Sequence, residues 1–72
     1  MIMDEAEKEK LKILLNHWVE HNSEHAQEFS RWAEKAKSSG YPVVHDEIVQ
    51  AIQQINKANE FLLKASERLK ER

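Results

Sequence analysis

Three histidines spaced four residues apart form the one pattern in this sequence that suggests chemistry. They are His17, His21 and His25, and residues four apart are neighbours on the surface of a helix. We call them the histidine ridge. Two imidazoles at this spacing can bind one metal ion, and neutral imidazole suits Zn, Ni, Cu or Co better than Mg or Ca.

A second row of side chains supplies oxygen ligands beside the ridge. Glu20, Glu24 and Glu28 each follow a ridge histidine by three residues. The pattern predicts a metal site with His21 and His25 as central ligands, Glu24 or Glu28 as an oxygen ligand, His17 as an outer ligand, and Zn, Ni or Co as the ion. The alternative is a solvated helix face on which the glutamates are only i,i+3 partners of the histidines.

The composition excludes most other chemistry. The chain has 72 residues with no Cys, one Gly and one Pro, which leaves no thiolate zinc site, disulfide framework or glycine-rich phosphate loop. A net charge of −2 argues against nucleic acid as a partner. No apolar run reaches the ~20 residues of a membrane span, and the acidic start is unlike a signal peptide. We expect a non-catalytic, cytoplasmic protein with no organic cofactor and no membrane partner.

One breaker cluster divides the chain into two helices. Gly40 suits the residue after a helix C-terminus, and Pro42 suits the first turn of the next helix. Asp4 with Glu7 has the spacing of a capping box. The sequence therefore predicts one domain, 1–72, with helix 1 over about 4–38, a turn at 39–41 and helix 2 over about 42–70.

The apolar periodicity predicts how these helices pair. Helix 1 has an apolar stripe that includes Leu11, Leu15 and Phe29, and helix 2 has one that includes Ile48 and Ile55. A short connection makes two long helices antiparallel neighbours, so the expected fold is all-α, an antiparallel hairpin. The alternative is a three-helix bundle with a break near Asn22-Ser23, because either residue can cap a helix.

Helix 2 is apolar over more of its circumference than a hairpin needs. Phe61 lies about 140° from Ile48 around the helix axis. Small residues surround it, so a second helix can approach closely. The predicted interface consists of Ala51, Ala58, Phe61, Ala65 and Trp32. It indicates a homodimer in the form of a four-helix bundle, or docking on another helical protein. The alternative is that Phe61 is a singly exposed apolar residue.

Three polar residues interrupt the apolar stripes at about one height. They are Asn22, His25 and Asn59. A buried polar layer of this kind fixes register and partner number at some cost in stability. We therefore expect His25 to be buried and hydrogen-bonded near Asn59.

The stretch from His17 to Ala36 resembles a small prokaryotic helical domain of unknown function. The resemblance rests on the run HWVEHNSEHAQEF, then WAEKA, and on the Gly40-Tyr41 turn, and it spans about half the chain. It implies that the His-x-x-x-His-Asn-x-x-His pattern is shared, and it implies no activity. Two functions follow from the sequence: a self-associating interaction module, and a small transition-metal binder.

Overall fold

The computed structural model describes residues 2–70, and its architecture is two long antiparallel helices. Helix α1 spans Glu5–Ser38 and helix α2 spans Pro42–Lys70. They pack side by side to form a rod of 53 × 19 × 14 Å. The predicted all-α helical hairpin is confirmed. Within residues 2–70, neither helix has an apolar stretch long enough to cross a membrane.

Both ends of α1 are built by the residues that the sequence singled out. Asp4 is the N-cap: its carboxylate accepts a hydrogen bond from the Glu7 amide at 2.8 Å, and its own amide donates to the Glu7 carboxylate at 3.2 Å. This capping box satisfies two amides that have no partner within the helix. The helix thus begins one residue after Asp4.

The turn between the helices depends on one glycine. Gly40 has a φ of +90°, which residues with a Cβ rarely adopt. The amide of Tyr41 then donates to the Ala36 carbonyl at 2.8 Å, and the Gly40 amide donates to Lys37 at 3.2 Å. These bonds form the Schellman motif that ends α1. Pro42 starts α2, where its missing amide hydrogen costs nothing.

Helix α1 passes through Asn22 and Ser23 without a break. The three-helix alternative is therefore wrong. Both side chains are engaged across the hairpin with Asn59, so neither caps a new helix.

The hairpin has very little core of its own. Among residues 2–70 the buried hydrophobic residues are Leu15 and Ala33, and the buried polar ones are Asn59 and Ser66. The remaining apolar stripe is only partly covered, because each helix has a single neighbour. A chain of this size has a thin stability margin unless something else adds buried area.

We expect Gly40→Ala to destabilise the hairpin by about 1–2 kcal/mol, since a Cβ is strained at positive φ. Open space surrounds the position, so the cost comes from the backbone conformation and not from a clash. Thermal unfolding followed by circular dichroism measures it. The matched control is Ser39→Ala, where φ is −91°; equal midpoints for the two variants would contradict the assignment.

Candidate functional site

An asparagine pair joins the two helices near the middle of the rod. The Asn22 side-chain amide donates to the Asn59 side-chain oxygen at 3.0 Å. The Asn59 amide in turn faces the Val19 carbonyl at 3.4 Å and the Ser23 hydroxyl at 3.3 Å. Asn59 thus inserts among residues of one helical turn of α1, as a knob enters a hole. This geometry sets the height at which the helices meet.

The prediction that His25 is buried in this layer is wrong. His25 is exposed, and the hydrogen bonds of Asn59 go to α1 residues other than His25. Three residues of helix rotate a side chain by about 300°, so His25 lies about 60° to one side of Asn22. Ser23 joins the layer in its place. Val19, Asn22 and Ser23 have the i, i+3, i+4 spacing of residues that share one helix face. This spacing could have predicted that they surround the Asn59 side chain.

The histidine ridge forms, with unequal spacing between its rings. The His21 and His25 rings are edge to face with centroids 4.5 Å apart, while His17 and His21 are stacked nearly parallel at 5.8 Å. Zn–N bonds of ~2.0–2.1 Å bring two ligating rings to centroid distances of roughly 4.5–5.5 Å. His21 and His25 are thus the pair whose separation suits a shared ion, whereas parallel stacked rings do not converge their nitrogens on one point.

The glutamates do not complete a metal shell in this chain. Glu24 and Glu28 are exposed, and within residues 2–70 no three histidine or acidic side chains converge on one point. One helix presents two imidazoles at most at this site. Further ligands have to come from water or from another molecule.

A shallow apolar groove runs between the helices on the side where His25 lies. Its lining residues are Phe29, Trp32, Ile48 and Ala51, and its volume is about 330 Å³. Trp32 of α1 and Ala51 of α2 both line it. The flank of α1 that carries Trp32 and the flank of α2 that carries Ala51 therefore lie on the same side of the hairpin. Trp32 remains 57% exposed, because nothing covers the outer wall of the groove.

Residues seven apart continue these flanks along the rod, since seven residues make almost two turns. On α1 the flank holds two tryptophans and a histidine, and on α2 it holds three alanines. We call this surface the Trp/Ala face; its members are Trp18, His25, Trp32, Ala51, Ala58 and Ala65, all exposed. The opposite flank of α1 is polar, with Asn16, Ser23 and Ser30 at the same period.

Phe61 lies at the margin of the Trp/Ala face. It is 59% exposed and sits between Ala58 and Ala65 on the helix surface. Lysine ammonium groups lie over two of the exposed rings: Lys35 is 4.6 Å from the Trp32 ring and Lys64 is 5.1 Å from the Phe61 ring. These cation–π contacts shield the rings only in part.

Two residues outside the predicted sets take part in the structure. Trp18 is 40% exposed and belongs to the Trp/Ala face. Its seven-residue spacing from His25 and Trp32 was a usable signal. His45 links the helices near the turn, because its ring lies 3.0 Å from Asp46 and 3.6 Å from Glu34 on α1. A contact to a residue on the other helix could not be read from local spacing.

Comparison with known proteins places the chain in a family. A family model described as a domain of unknown function (DUF8180) matches residues 11–69. The chain belongs to this family. An uncharacterized protein of Archaeoglobus fulgidus is 39% identical over 57 residues, which cover 79% of this chain and 90% of that protein. No solved structure matches the chain. The predicted resemblance to a domain of unknown function is confirmed; the histidine pattern as a family signature stays a prediction.

We expect Asn59→Leu to change the unfolding free energy little, because added apolar burial is offset by the unpaired Asn22 amide. Asn22→Leu/Asn59→Leu removes that penalty and should be about 1–3 kcal/mol more stable than Asn59→Leu. Denaturant unfolding measures both. The double variant should also show more than one set of amide resonances, since apolar seams specify register poorly. Equal stability of the two variants would contradict this role.

Proposed function

We propose that this chain is a non-catalytic helical interaction module that self-associates through the Trp/Ala face into a homodimeric four-helix bundle. The observation that carries the proposal is a contrast within residues 2–70, between a core of two buried hydrophobic residues and a face bearing two half-exposed tryptophans. Exposed apolar patches of this kind mark interaction sites on soluble proteins.

The shape of the rod supports an interface of sufficient size. A side of 53 by 19 Å offers roughly 1,000 Å² to a partner, compared with the ~800 Å² per partner of a standard protein interface. Covering it would bury Trp18 and Trp32, and aromatic residues carry a large share of the energy in such interfaces. The polar flank on the other side of α1 gives the hairpin one preferred side for association.

Phe61→Glu is expected to convert the dimer to a monomer, because it places a charge at the margin of the interface. Light scattering at ~50 µM, well above typical dissociation constants, should give twice 8.5 kDa for the native chain and 8.5 kDa for the variant.

Leu63→Glu is the matched control for that experiment. Leu63 is 50% exposed on the same helix but lies about 200° around the axis from Phe61, so its variant should remain dimeric. Circular dichroism checks that helix content is retained. A native chain that is monomeric at this concentration would overturn the proposal. Docking of the face on another helical protein would then be the remaining interaction function.

Transition-metal binding is the second candidate function, and the 4.5 Å edge-to-face pair of His21 and His25 favours it. Calorimetric titration at pH 7.5 with Zn²⁺, Ni²⁺ and Co²⁺ should show a site tighter than ~100 µM. His21→Ala/His25→Ala should abolish the heat, while His45→Ala leaves it unchanged. The affinity should fall as the pH is lowered, because protons compete with the metal ion for the imidazole nitrogens. Binding that survives the double substitution would contradict this function.

A further inference from the structure

We infer that the two copies associate about a two-fold axis parallel to the long axis of the rod, so that α1 of each copy packs on α2 of the other and both turns lie at the same end. This inference rests on the proposed homodimer and specifies its arrangement. The heights of the residues on the Trp/Ala face and the sizes of their side chains support this arrangement.

The asparagine pair provides the scale of heights. Asn22 and Asn59 meet directly, and the helices are antiparallel with the same rise per residue. A step forward along α1 therefore corresponds to a step backward along α2. Within about two residues, Trp18 shares its height with Ala65, His25 with Ala58, and Trp32 with Ala51. The groove lined by both Trp32 and Ala51 agrees with this register.

At each of these three heights one helix presents a large ring and the other a methyl group. A two-fold axis parallel to the rod keeps every height and exchanges the helices. Each ring of one copy then faces an alanine of the other: Trp18 the partner's Ala65, His25 the partner's Ala58, and Trp32 the partner's Ala51. Large residues opposite small ones let two helices interdigitate at native packing density.

The charges at the edge of the face agree with the same arrangement. Equal height places Lys35 beside the partner's Glu47, and both side chains are exposed in the hairpin. Opposite charges at matching heights favour this register and disfavour displaced ones.

A two-fold axis across the rod is the competing arrangement. It reverses the heights, packs each helix on its own copy, and brings Trp18 to the partner's Trp32 and Ala51 to the partner's Ala65. Tryptophans then oppose tryptophans while alanines oppose alanines, which holds one pair of helices apart and leaves the other pair too small to fill its gap.

The position of the turns distinguishes the two arrangements. The chain has no Cys, so Ser39→Cys gives a unique site for a spin label at the exposed turn. With helix spacings of 8–10 Å, the arrangement inferred here should give a label-to-label distance of roughly 15–30 Å in double electron–electron resonance. The crossed axis places the turns at opposite ends of a rod 53 Å long, which gives a distance near that length.

Asn56→Cys is the matched control. Asn56 is exposed near mid-height on α2, so its labels come to similar distances in either arrangement and report only that a dimer forms. Coupling at Asn56 with a short distance at Ser39 supports the inference. Coupling at Asn56 with a distance of about 50 Å at Ser39 overturns the inference and leaves the homodimer standing. Absence of coupling from both labels overturns the homodimer itself.

Discussion

In a two-helix hairpin each helix can bury only one stripe of its surface against the other helix. This limit on buried apolar surface determines the other features of the structure. Each helix has a single neighbour, so a residue about 60° off the contact line is already half in water. Leu15 and Ala33 lie on the line and are buried, whereas Trp18 and Trp32 lie beside it and are not. A contiguous patch of large apolar side chains beyond the central stripe is therefore where a further surface can add buried area.

The same limit explains why a polar contact is placed where the seam is best covered. Asn59 is among the four buried residues in the part of the chain that the structure describes, and its side-chain amide is satisfied by three groups of α1. An apolar residue there would add to the core but would fit several registers equally well. The asparagine pair reduces the apolar area that the seam can bury, and it selects one register between α1 and α2. The register of the Trp/Ala face follows from it.

Local signals were sufficient for the helices and their ends. The Asp4 capping box, the positive φ of Gly40 and the start at Pro42 each depend on residues within one turn of chain, and the structure has all of them. His25 was misplaced because its position on the stripe depends on where α2 lies around α1, which helical periodicity resolves only to about one residue width. The contact between His45 and Glu34 depends on the register of the hairpin, which no local pattern carries.

His25 connects the two candidate functions in a way that makes them compete. In the dimer inferred here the ring lies against the partner's Ala58, and in a metal site its nitrogen must face an ion that also binds His21. An ion on the exposed side of the ridge needs water or further ligands around it, and a covering helix removes the room for them. A metal that binds the monomer more tightly than the dimer shifts the equilibrium toward monomer, and dimerisation weakens metal binding by the same factor. In the inferred dimer, metal binding at the histidine ridge would therefore oppose assembly, unless the second copy brings ligands of its own to the ion.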